Sequence, residues 1–90
     1  KFLGICLGMQ LIFENGNEPH KCKGLGWIKG DVKRIEVQDL NVPHMGWNVA
    51  TINNETVLTK NYDGELRFYF VHSYFVLADN VKHSMMKTTY

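Results

Sequence analysis

The sequence predicts an α/β layered sheet, with one strand–turn–helix unit followed by a mainly β stretch. Three features carry that expectation. The apolar run from Lys1 to Glu14 changes from strand-like to helix-like periodicity at two glycines, Gly4 and Gly8. The segment Trp27–Ile35 reads as a strand interrupted by Gly30. The run RFYFVHSYFV, Arg67 to Val76, is aromatic and β-branched with partial alternation, and it is the strongest strand signal in the chain.

In chain order, Lys1–Ile5 is expected to be a short buried strand. Leu7–Glu14 is expected to be a helix, because Leu7, Leu11 and Ile12 share a face at helical spacing. Asn15-Gly16-Asn17 supplies a helix stop, and residues 15 to 24 are polar and loop-like. Leu40–Pro43 leads into an irregular segment, His44–Asn48, and Asn48–Ile52 is expected to be a strand. Asn53-Asn54, residues 61–65 and Asp79-Asn80 read as turns or loops. There is no internal repeat and no low-complexity stretch.

Ninety residues allow one domain at most, and a chain this short buries only about 60–65% of its unfolded surface. With 44% apolar and 21% charged residues and a net charge of +1, the composition is that of a globular chain. No basic patch points to nucleic acid or to an anionic membrane. The apolar stretch Phe2–Phe13 is too short to span a bilayer, and it lacks the small-residue cleavage site of a signal peptide. The abrupt start at Lys1 and stop at Tyr90 suggest a piece of a longer protein. Two cysteines, Cys6 and Cys22, are too few for a disulfide framework, so a reducing, cytoplasmic setting is the simpler expectation. A small secreted protein with a Cys6–Cys22 bridge is the rival. His20-x-Cys22 is half a metal site with no evident second half, and neither a metal nor a cofactor is expected.

Gly4-x-Cys6-x-Gly8 falls at the expected strand-to-helix junction. It has the form of a nucleophile elbow with cysteine in place of serine. A sharp turn forces strained backbone angles on the nucleophile and crowds its neighbours, which glycines on either side relieve. Such a turn places sulfur at a helix N-terminus, where thiolate is favoured. It also aims the Leu7 N–H at the place where an oxyanion forms in acyl transfer. The competing reading makes Cys6 one more small core residue.

The longer segment Phe2-Leu3-Gly4-Ile5-Cys6-Leu7-Gly8-Met9-Gln10 resembles the nucleophile segment of class I (triad-type) glutamine amidotransferases. Met9-Gln10 is similar to the branch that serves imidazole glycerol phosphate synthase in histidine biosynthesis. Gly24-Leu25-Gly26-Trp27-Ile28, Val42-Pro43-His44-Met45-Gly46-Trp47-Asn48 and Phe68-Tyr69-Phe70-Val71-His72-Ser73-Tyr74 resemble later segments of the same family, in family order.

The resemblance implies that the chain is the central part of a single amidotransferase domain, residues 1 to 90. It implies glutamine hydrolysis through a Cys6 thioester, with ammonia passed to a (β/α)8-barrel synthase subunit in a heterodimer. It assigns Cys6 as catalytic residue, Leu7 N–H as oxyanion donor, and Gly8, Gln10, Ser73 and Tyr74 to glutamine. His44, Met45, Trp47, Asn48 and Tyr69 are the partner-facing positions it implies. Neither nucleic acid nor a membrane is an expected partner.

The family's triad ends in a His-x-Glu pair that these ninety residues do not contain, so no turnover is expected from them alone. His72, in an apolar strand, is read as a hydrogen-bonded core histidine rather than the missing base. Two rivals stand beside the leading reading. One is a related amidotransferase feeding another synthase, such as one modifying surface-glycan sugars. The other is a non-catalytic scaffold subunit.

Overall fold

The computed structural model describes all residues, 1–90. The chain forms one short helix and seven strands. These are α1 (Leu7–Ile12), β1 (Phe13–Gly16), β2 (Cys22–Lys23), β3 (Ile28–Arg34), β4 (His44–Ile52), β5 (Leu66–His72), β6 (Tyr74–Ala78) and β7 (Met86–Lys87), with a 3-10 turn at Val81–His83. The strands make two sheets, one ordered β2-β1-β3-β6 and the other β5-β4-β7. One helix–strand region followed by a mainly β region is the α/β architecture the sequence predicts.

In the first sheet β1 runs parallel to β3, and every other pairing is antiparallel. β3 is its centre. Gly30 and Val32 face inward, with Val32 wholly buried, while Lys29 and Lys33 face water, the period-2 pattern of a half-buried strand. Gly30 sits at φ 150°, and a Cβ there would lie 2.1 Å from the Leu77 carbonyl oxygen on β6. Only glycine allows the β3–β6 backbones to approach this closely.

Five elements differ from the sequence expectation. Residues 15 to 24, read as loop-like, hold the end of β1 and all of β2, and His44–Asn48, read as irregular, opens strand β4. Residues 1–5 form no strand, because no strand of either sheet pairs with them; an extended segment without a hydrogen-bonded neighbour is not a sheet strand. The helix stops at Ile12, not Glu14. Phe13 turns extended and is buried in register with Ile28. The carbonyls of Leu11 and Ile12 then accept from Leu25 N–H at 2.7 Å and Trp27 N–H at 2.9 Å, so a neighbouring segment closes the helix end. The long aromatic run is two strands. It breaks at Ser73, where the chain passes from the second sheet (β5) into the first (β6).

Only eight of the ninety residues are buried, and Phe13, Val32, Ile35 and Ala50 make up the apolar core. The accessible surface is 7161 Å², against about 5,400 Å² expected for a folded monomer of this mass. The extents, 39 × 35 × 19 Å, describe a slab. Twenty large apolar side chains are exposed, Phe2, Leu3, Ile5, Trp27 and Trp47 among them. A surface this apolar marks a segment that packs against further polypeptide.

Candidate functional site

Cys6 occupies the turn into α1 at φ 57°, ψ −122°, a conformation costly for a residue with a Cβ. Backbone bonds tie the turn: Gly8 N–H donates to the Ile5 carbonyl at 3.0 Å, and Met9 N–H donates to the Cys6 carbonyl at 3.0 Å. Gly4 makes the turn possible, since a Cβ there would lie 2.5 Å from the Gly8 carbonyl oxygen. Gly8 has open space around it, so the steric demand for glycine falls on one side of the cysteine. The thiol is free and exposed. Leu7 is the first helical residue, and its N–H therefore has no partner within the helix.

Gln10, one turn after Cys6, is buried, and its amide donates to Glu18 at 2.9 Å. That bond draws the 17–18 segment onto α1. A small cavity of about 50 Å³ beside it is lined by Leu7, Gln10, Glu18 and Cys22. Cys22 is also a free, exposed thiol, so there is no Cys6–Cys22 bridge.

A larger open cleft of about 610 Å³ lies elsewhere, between the 17–21 loop and the β3–β6 ribbon. Lys21, Lys33, Arg34, Glu36 and Tyr74 line it, and neither Cys6 nor Gln10 does. The sequence reading missed it. Its cations are spread over two segments that only the fold joins, with the Asn17 amide bonded to the Val32 carbonyl holding the loop across β3.

The remaining site residues sit on or next to the second sheet. Ser73 and Tyr74 lie at the crossing between sheets, where Ile35 N–H donates to the Ser73 carbonyl at 2.8 Å. The five positions expected from the sequence to face a partner divide between two faces of the β4–β5 ribbon. Met45, Trp47 and Tyr69 are 60, 68 and 56% exposed on one face. Trp47 is directly opposite Tyr69, with the rings edge to face and centroids 5.7 Å apart. His44 and Asn48 alternate to the other face, where His44 is buried and Asn48 half-buried.

On that inner face His44 stacks between Phe70 (4.7 Å) and Tyr90 (4.1 Å). It stands directly opposite His72 in the strand register, and His44 Nδ1 lies 2.9 Å from His72 Nε2. His72 is hydrogen-bonded, as the sequence reading expected, but half-buried instead of a core residue. Burial, and secondarily the neighbouring His72, lower the His44 pKa below its ordinary 6.5.

A lowered histidine pKa means the unfolded chain takes up a proton that the folded chain refuses. This contribution to stability is therefore intact above 6.5 and is lost as pH falls through the lowered folded value. Thermal unfolding followed from about pH 7.5 to about pH 5 is expected to show a falling midpoint. His44→Asn should flatten that slope, whatever it does to the absolute stability. An unchanged slope in the variant would assign the pH dependence to other groups.

No helix is long and apolar enough to cross a membrane. No three or more His, Cys, Asp or Glu residues are grouped to hold a metal ion.

The profile of the class I glutamine amidotransferase family matches residues 1–89, and the chain belongs to that family. Among curated relatives, it is 51% identical over 76 residues to imidazole glycerol phosphate synthase subunit HisH 1 of Campylobacter jejuni (strain RM1221), covering 82% of this chain and 37% of the relative. It is 47% identical over 92 residues to subunit HisH of Sulfurimonas denitrificans, covering 98% and 44%. The Bacillus subtilis HisH subunit is 49% identical over 80 residues, covering 82% and 37%. The chain thus spans about two-fifths of the length of these relatives.

Proposed function

We propose that the full-length protein carrying this segment is the glutamine-hydrolysing subunit of imidazole glycerol phosphate synthase, acting in histidine biosynthesis. The observation that carries the reading is the elbow. An exposed cysteine is held at φ 57° at the start of a helix, on a turn that only Gly4 lets close. The similarity to three HisH subunits supports the choice of branch.

In this reading the Cys6 thiolate attacks the side-chain carbonyl carbon of glutamine. A base takes up the thiol proton, the Leu7 N–H stabilises the oxyanion, and the C–N bond breaks as the protonated base returns that proton to the departing ammonia. Water then hydrolyses the γ-glutamyl thioester to glutamate and frees the thiol. Gly8 and Gln10 border the substrate from α1, and the Ser73–Tyr74 backbone holds its amino-acid end. Met45, Trp47 and Tyr69 face a (β/α)8-barrel synthase that receives the ammonia, with His44 and Asn48 supporting that strand from behind. The base must come from outside these ninety residues, which are inactive alone. The free thiols of Cys6 and Cys22 fit a reducing, cytoplasmic setting.

The test is glutamate release from glutamine by the full-length protein, alone and with the barrel subunit and its nucleotide ligand. Strong stimulation by the barrel supports the reading. Glutamine hydrolysis that this barrel leaves unchanged points to a different synthase. No hydrolysis under any condition favours a non-catalytic scaffold.

A further inference from the structure

Three hydrogen bonds on the inner face of the β4–β5 ribbon run in one direction. Their polarity is fixed independently at both ends. At one end Asn48 Oδ1 accepts from Val49 N–H at 2.8 Å, and Nδ2 donates to the Thr89 carbonyl at 2.9 Å. The amide therefore presents an N–H, not an oxygen, to His44 Nε2 at 3.2 Å. At the other end the Tyr74 carbonyl, which can only accept, lies 2.8 Å from His72 Nδ1. His72 must carry its proton on Nδ1, so its Nε2 is an acceptor. His44 must then donate from Nδ1 across the 2.9 Å contact. Both histidines are neutral Nδ1–H tautomers, and the burial that lowers the His44 pKa suits that state.

We infer that His72 is a positioning residue for the Ser73–Tyr74 backbone, held in its working tautomer by His44 and Asn48. The inference rests on the proposed role of that backbone in holding glutamine. The geometry explains why positioning is needed. Ser73 is the crossing point between the sheets, and its carbonyl is bonded to Ile35 in the loop after β3. Tyr74 pairs with Arg34 on β3. The crossing is thus bound to the first sheet, while His72 ties it to β4 in the second. β4 presents Trp47 and Met45 on its opposite face, so a displacement of β4 by a partner is passed through His44 and His72 to the substrate-holding turn.

Two substitutions separate the halves of the relay. His72→Asn keeps an amide N–H near the Nδ1 position, which retains the bond to Tyr74 and loses the one to His44. His72→Gln places its amide near the Nε2 position, with the opposite outcome. In the full-length protein, His72→Gln is expected to raise the KM for glutamine about five- to tenfold with a small change in kcat, the worth of one hydrogen bond. His72→Asn should recover most of that loss in the protein alone, but should weaken the response to the synthase barrel. A purely structural role would make both variants lose thermal stability with KM unmoved.

Nitrogen chemical shifts of 15N-labelled histidine report the tautomers directly, and both rings are expected as Nδ1–H. Wild-type KM in His72→Gln, or an Nε2–H tautomer at His72, overturns this inference while leaving the glutaminase reading intact. Absence of glutamine hydrolysis in the wild type overturns the reading and the inference together.

Discussion

Replacing Cys6 by alanine in the full-length protein is expected to abolish glutamine hydrolysis, with a loss of at least about three orders of magnitude. Without the sulfur no thioester forms, and the Leu7 N–H has no tetrahedral intermediate to stabilise. The loss will not be a folding artefact. Alanine carries the same Cβ as cysteine, so the cost of φ 57° is unchanged, and the exposed Sγ contributes little packing. Cys6→Gly makes the separation sharper. Glycine removes the backbone strain, so this variant should be as inactive as Cys6→Ala yet more stable by about 1 kcal/mol. Cys22→Ala should leave the rate unchanged and serves as the control for thiol chemistry. Retained turnover in Cys6→Ala would end the nucleophile assignment. Loss of turnover in Cys22→Ala would show that the second thiol had been misjudged.

How much of this was legible in the sequence depends on the range of the interactions involved. The elbow was readable because its cause is local: Gly4 and Cys6 are two residues apart, and the steric conflict lies within one turn. The aromatic run Arg67–Val76 was readable as strand, but its break at Ser73 was not, because the break is made by pairing with two different sheets. Helix length failed for a similar reason. Phe13 and Glu14 suit a helix by composition, and long-range pairing with Ile28 and Gly24 draws them out of it.

The split of the five positions expected to face a partner did have a sequence signal. Had His44–Ile52 been read as one strand, period-2 alternation alone would have separated Met45 and Trp47 from His44 and Asn48. The irregular reading of His44–Asn48 hid it. The His44–His72 pair had no such signal, since it joins residues 28 apart and depends on the exact strand register.

Trp47→Ala is expected to weaken association of the full-length protein with the barrel synthase by roughly 30- to 1,000-fold, about 2–4 kcal/mol. Trp47 is 68% exposed and Tyr69 56%, so neither is retained to fill this chain's own core. Their edge-to-face contact at 5.7 Å instead braces the two rings as one raised apolar unit. Large, rigid aromatic side chains of this kind lose little conformational freedom on binding, which is why they dominate protein interfaces. Truncating Trp47 removes its own contacts and leaves Tyr69 without its edge-to-face partner. Tyr69→Ala should therefore cost less than Trp47→Ala, and the double variant less than the sum of the two. Thermal stability of the uncomplexed protein is the control: a loss well above about 1 kcal/mol would mean that Trp47 packs within the protein's own fold instead of against the barrel. Basal glutamine hydrolysis should hold while stimulation by the barrel falls. Unchanged affinity in Trp47→Ala would move the interface off this face of β4 and remove the reason for β4 to transmit anything to Ser73 and Tyr74.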